Sequence, residues 1–117
     1  MEAASDTMRS GDVEIRASDG LVLVAGKAVA MSVREYRLLT ALVARQGRIV
    51  SREELYRLAW DASLRRGDRS VDVYVHKLRV KLEEALPGRA FIHTHFGFGY
   101  RFAPEPSRAF HNSETDR

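Results

Sequence analysis

The spacing of hydrophobic positions changes along the chain and divides it into three zones. Val13 and Ile15 alternate with polar neighbours, Leu21–Val24 is a short apolar run, and Val29 and Met31 alternate again. Alternation puts every second side chain on one face of a strand, and Asp19-Gly20 and Gly26-Lys27 supply turn signals between the runs. Residues 11–31 therefore predict three or four short antiparallel strands. From Ser32 the period lengthens, with Val33, Tyr36, Leu39, Leu42 and Val43 recurring at helical spacing up to Gly47. Ser32-Val-Arg-Glu35 reads as a capping box, in which hydroxyl and carboxylate satisfy free backbone N–H groups at a helix start. Ser51-Arg-Glu-Glu54 reads as a second box, followed by Leu55, Leu58 and Ala59 and ending near Trp60. Asp61–Asp68 is a polar loop, and a third helix is predicted from Arg69 to Leu86, where Pro87-Gly88 stops it. Residues 90–103 return to strands, with Phe91–His95 and Tyr100–Phe102 flanking a glycine-containing hairpin turn, Phe96-Gly97-Phe98-Gly99. The polar stretches 1–10 and 104–117 are expected as flexible tails around one domain at 11–103.

Composition narrows the chemistry. A chain of 117 residues has room for one domain, and 44% hydrophobic residues suffice for its core. Cysteine is absent, which excludes disulfides, thiolate catalysis and cysteine-based zinc sites. No apolar run approaches the ~20 residues of a membrane span. The first residues lack the basic start and apolar stretch of a signal peptide, so the expected location is the cytoplasm. The net charge of +3 is unevenly distributed: residues 63–82 carry Arg65, Arg66, Arg69, Lys77, Arg79 and Lys81 against Asp68 and Asp72, a net +4, and the remainder sums to −1. A local positive patch is the footprint of a protein that meets nucleic acid or another polyanion.

At about 100° per residue, Val71, Val75, Leu78 and Leu82 fall on one narrow stripe of the third helix, the side a core would cover. The opposite side carries Arg69, Val73, His76, Lys77 and Val80, with Arg79 and Lys81 on its flanks. A solvated face normally mixes Glu with Lys and has no reason to expose valine, yet acids are scarce before Glu83-Glu84. Such a face suits a DNA major groove, where Lys77 or His76 donates to guanine O6 and N7 and a small apolar group touches a thymine methyl. The same spacing also describes a basic surface helix with two incidental valines. Two short helices joined by a turn, the second basic and followed by a hairpin, make a helix-turn-helix with a wing.

From Ser32 to Phe102 the chain strongly resembles the winged-helix effector domain of OmpR/PhoB-type response regulators. Four patterns in order carry the resemblance: Met31-Ser32-Val-Arg-Glu35-Tyr36-Arg-Leu38-Leu39; Gly47-Arg48-Ile49-Val50-Ser51-Arg52-Glu53-Glu54-Leu55, closed by Trp60; Arg69-Ser-Val71-Asp72-Val73-Tyr74-Val75-His76-Lys77-Leu78-Arg79-Val-Lys81-Leu82; and Ile92-His-Thr94-His-Phe96-Gly97-Phe98-Gly99-Tyr100-Arg101-Phe102. The resemblance implies an α+β winged helix-turn-helix with an N-terminal antiparallel sheet, a three-helix core and a C-terminal β-hairpin wing. It implies a sequence-specific regulator of transcription that binds double-stranded DNA without a cofactor, two copies occupying direct repeats in tandem. Carried over by position, Val73, His76 and Lys77 read bases, while Trp60, Arg69, Tyr74, Arg79, Thr94 and Tyr100 contact phosphates. The loop from Asp61 through Leu64, Arg65 and Arg66 is either a contact for RNA polymerase or a solvated connector. Asp72 repels phosphate and reads better as structural, favoured by the helix dipole and near arginines, than as a base contact. The family often has arginine where Phe96 stands. Phe96 is left to insert an apolar edge against sugars, to pack on a neighbouring protomer, or to pack under the hairpin. No acidic phosphoacceptor segment is present, so the chain reads as an excised effector domain or a stand-alone regulator.

Other chemistries are weaker. His93 and His95 point to one side of a strand, but two ligands without a third make a poor metal site. Gly97-Phe-Gly99 lacks the following helix of a phosphate loop, and neither a Walker lysine nor a nucleophile elbow occurs. An enzyme is not expected. The competing class is a non-catalytic interaction module on the same fold, with RNA polymerase or a partner regulator as its target.

Overall fold

The computed structural model describes residues 6–106, which form two small antiparallel sheets around three helices. The elements follow the order β1 (Thr7–Ser10), β2 (Val13–Arg16), β3 (Leu21–Val24), β4 (Lys27–Ala28), α1 (Val33–Ala44), β5 (Ile49–Val50), α2 (Arg52–Trp60), α3 (Ser70–Ala85), β6 (Arg89–His95) and β7 (Gly99–Pro106). Strands β1 to β4 pair in sequence order, and the second sheet has the order β5-β7-β6. Alternation in β2 and β3 explains the first sheet, because Val13 pairs with Val24 and Ile15 with Val22, and all four are buried.

Parts of both expected tails are strands instead. Residues 7–10 form β1, with Ser10 buried and Met8 packed on the core, although their polarity reads as a frayed end. At the other end Pro104, Glu105 and Pro106 continue β7, where Pro106 pairs with Arg89 and Glu105 with Ala90. Residues 1–5 and 107–117, the rest of both tails, lie outside the described residues. β4 stops at Ala28, yet Val29 and Met31 still pack against the core beyond it.

The first capping box forms completely: Glu35 N donates to Ser32 Oγ at 3.1 Å, and Ser32 N donates to Glu35 Oε1 at 2.8 Å. The second is half a box. Glu54 N donates to Ser51 Oγ at 3.1 Å, but the Glu54 carboxylate lies 3.5 Å from Arg45 instead of turning back. On α1 the buried positions are Glu35, Leu38, Leu39, Ala41, Leu42 and Val43, while Val33 points outward. On α2, Leu55 and Ala59 are buried and Leu58 is exposed. The predicted stripe of α3 is the observed one, with Val71, Val75, Leu78 and Leu82 completely buried. Its start is braced from one residue outside, because the Asp68 carboxylate accepts from Ser70 N at 2.8 Å and Ser70 Oγ at 2.6 Å.

β5, which no hydrophobic pattern announces, clasps the hairpin to the helices, with Ile49 opposite Arg101 and Val50 opposite Tyr100. Gly99 permits this approach. Its φ is +140°, and a Cβ there would lie 2.0 Å from the Val50 carbonyl oxygen.

Candidate nucleic-acid interface

α3 turns its bare side outward. Val73 and Val80 are 50% and 42% exposed, and His76 and Lys77 are exposed with them. The predicted base-reading residues therefore share one open surface. An aromatic series borders it: Tyr74 lies beneath Lys77, whose ammonium is 4.7 Å from the ring centroid. Tyr74 meets Trp60 edge-on at 5.5 Å, and Trp60 stacks on Tyr56 at 4.8 Å. Arg34 covers Trp60 and donates to the Ala59 carbonyl, so Trp60 is held from two sides and is only half-exposed.

The cations of the positive patch divide into engaged and open groups. Lys81 turns away from the outward face, donating to Glu35 Oε1 and to the Ala30 carbonyl, each at 2.7 Å. That is a correction to the patch, since one of its six charges is neutralised on the side facing α1. Burial alone would raise the Glu35 carboxyl, but hydrogen bonds from Lys81 and Ser32 outweigh it and hold the group below its ordinary value. Arg79 is half-buried and binds the wing: its Nε and one terminal nitrogen donate to the Ile92 carbonyl at 3.1 and 2.9 Å, and that nitrogen also donates to Thr94 Oγ1 at 2.7 Å. Arg69, Arg65 and Arg66 stay exposed, with Asp61 exposed and Leu64 half-buried in the same loop.

Asp72 joins three elements. Its carboxylate accepts from Arg52 Nε on α2 at 2.7 Å and from the Tyr100 hydroxyl on β7, and Arg69 stands 3.6 Å away. Burial pushes Asp72 upward, but the hydrogen bonds from Tyr100 and Arg52 and the nearby guanidinium charges bring it below its usual range. Burial and the bond to Asp72 raise the phenol of Tyr100. Tyr100 is only 5% exposed, so it sits as a support behind the surface and not among the open phosphate contacts expected from the resemblance. The structural reading of Asp72 is the one its geometry matches. Arg52 is the member that sequence reasoning missed. It lies 20 residues from Asp72, and no local spacing connects the two.

Of the three readings left open for Phe96, packing under the hairpin is the one the structure does not show. Phe96 and Phe98 are 88% and 72% exposed. The histidines beside them are engaged within the hairpin, His93 Nε2 at 2.7 Å from the Ala103 carbonyl and His95 Nε2 accepting from Arg101 Nε at 3.0 Å. Among the described residues no cluster of three metal-ligating side chains occurs, and no helix is long and apolar enough to cross a membrane.

Comparison with known proteins agrees with this arrangement. The family described as "Transcriptional regulatory protein, C terminal" matches residues 26–102. The transcriptional regulatory protein TcrA of Mycobacterium tuberculosis is 32% identical over 102 residues, 87% of this chain and 40% of TcrA. The DNA-binding domain of RstA from Klebsiella pneumoniae, solved in complex with its RstA box, superposes with a TM-score of 0.75 at 31% identity, covering 85% of this chain and 98% of that domain. The response regulator DrrB of Thermotoga maritima, an OmpR/PhoB homologue, gives 0.70 at 28% identity, covering 84% of this chain and 44% of DrrB. The chain spans about two-fifths of the curated relatives it matches. With three-quarters of the described fold inside the matched segment, and the winged helix shared with RstA and DrrB, the chain belongs to the family of C-terminal domains of transcriptional regulatory proteins, of the OmpR/PhoB type.

Proposed function

We propose that this domain is the sequence-specific, double-stranded DNA-binding part of a transcriptional regulator, with the outward face of α3 in the major groove. The observation that carries the reading is the composition of that face: Val73, His76, Lys77 and Val80 stand open together, with no carboxylate between them. Lys77 and His76 supply donors for guanine, and Val73 supplies a methyl surface for thymine. Arg69 at the helix start, Tyr74 and Trp60 along one flank, and Arg79 with Thr94 on the other, surround this face and suit phosphate contacts that set orientation. The RstA domain bound to its box supports the same use of this fold. At the wing tip, residues 96–98 offer two phenyl rings and no cation, which suits contact with sugar edges in a flanking groove.

The reading is non-catalytic and places the work of the domain in the cytoplasm with its DNA. The open loop with Asp61, Leu64, Arg65 and Arg66 is proposed as a contact for RNA polymerase, and a second copy is proposed on an adjacent direct repeat. Titration of a labelled duplex with the chain across a salt series tests the reading. Binding should weaken linearly on a log–log plot, with a slope of ~0.9 per phosphate contact. Absence of duplex binding at low salt contradicts it and leaves the interaction module on the same fold.

A further inference from the structure

Asp72 is out of place on a surface that meets phosphates. It stands in the first turn of α3, beside the open face, where a carboxylate repels every duplex regardless of sequence. The helix dipole favours an acid there, but an uncharged cap would serve the helix nearly as well. What only a carboxylate does is gather two guanidinium groups and a phenol from separate elements: Arg52 of α2, Arg69 just before α3, and Tyr100 of β7. Arg52 lies over the Tyr100 ring at 5.8 Å, and Arg79 of α3 lies over the same ring at 5.8 Å. The group therefore fixes α2, α3 and the wing relative to one another, using charge that would otherwise be available to phosphates.

We propose that Asp72 is a specificity-determining residue of the DNA surface: it restrains Arg52 and orients α3 against the wing, trading affinity for any duplex against discrimination between duplexes. The proposal rests on the DNA-binding function above. Non-specific binding grows with the number of cations free to reach phosphates, wherever they happen to lie. Sequence reading requires α3 to enter the groove in one orientation, because base contacts reward a fixed geometry. Asp72 acts on both, lowering the first and supporting the second. Tyr100 shares only the second role, since its hydroxyl bears no charge.

The two roles separate in variants of the full chain. Affinities are measured over a salt series for two probes, a duplex enriched from a random pool by the wild type and a shuffled duplex of equal length. Asp72→Asn keeps the size of the side chain and removes its charge. It should tighten the shuffled duplex by about fivefold at 0.15 M salt and steepen its salt slope by ~0.9, the effect of one released phosphate contact. The ratio of enriched to shuffled affinity should fall by about tenfold. Tyr100→Phe should lower that ratio and leave the salt slope unchanged. If Asp72→Asn binds the shuffled duplex no better than wild type, or keeps its ratio, the proposal fails while the DNA function stands. If wild type binds neither duplex, the DNA function itself fails. Thermal unfolding of each variant is the folding control. Should Asp72→Asn not fold, Arg52→Gln carries the test, because it removes the restrained cation: an unchanged ratio there overturns the proposal, and a lowered one supports it.

Discussion

The outward face of α3 and the tip of the wing are both open to solvent, yet they present opposite chemistry. α3 exposes an ammonium, an imidazole and two valines. The wing exposes two phenyl rings on either side of Gly97. The arginines near the wing are not available to its tip: Arg79 is bound to Ile92 and Thr94, and Arg101 to His95 with Glu105 3.5 Å away. The positive patch in the sequence therefore does not map evenly onto the surface. Charge gathers on the helix and its preceding loop, while the wing contributes shape and apolar area.

The connection between the two regions is Arg79, and cutting it should have the largest effect. Arg79→Ala leaves the Ile92 carbonyl without its donor and frees Thr94, so the domain should lose about 2–3 kcal/mol of stability in urea unfolding. Affinity should fall for enriched and shuffled duplexes alike, and the salt slope should flatten. Next in size is Lys77→Ala, which should leave folding unchanged and reduce discrimination at one base pair by ~1–3 kcal/mol in competition titrations. On the wing the expected signature is different. Phe96→Ala should weaken duplex binding by about 1 kcal/mol with no change in salt slope, because an apolar contact releases no counterions. Phe96→Lys should restore affinity and steepen the slope, giving the wing the chemistry of the helix. Should Phe96→Ala instead flatten the slope as Arg79→Ala does, the distinction between the two regions would be erased.

The smallest effect concerns the charge that belongs to neither region. Glu35 is held below its ordinary value near 4.5, so its pair with Lys81 contributes stability above that pH and loses it as the carboxyl is protonated on acidification. Glu35→Gln should remove about 1 kcal/mol or less of this pH dependence between pH 5 and pH 3, read from thermal unfolding. Duplex binding at neutral pH should be unaffected by the Lys81 charge, which faces α1.

Much of this was legible in the sequence, and the exceptions share a cause. The α3 stripe, the first capping box and the hairpin are written in spacings of two to four residues, and local geometry reproduces them. β1 was missed because Thr7–Ser10 is polar and only its pairing with Val13–Arg16 gives it a place. β5 is two residues long, and Gly99 reveals it only through the close approach of Val50. The Asp72 group was half visible: the acid was anomalous by its charge, but Arg52 and Tyr100 lie 20 and 28 residues away. Lys81 looked like part of the DNA patch because periodicity places a side chain on a helix flank, whereas its partner Glu35 lies 46 residues earlier. The exposure of Phe96 likewise depends on how the hairpin leaves the core.

If the open face of α3 reads base sequence, Lys77 sets the preference at one position of the bound motif. Enrichment of bound duplexes from a random pool, carried out in parallel with the wild-type chain and with Lys77→Ala, tests it most directly. Wild type should yield a defined motif and the variant a relaxed preference at one position of it, the other positions keeping their order. An identical motif from both proteins, or no enrichment by wild type, would contradict it.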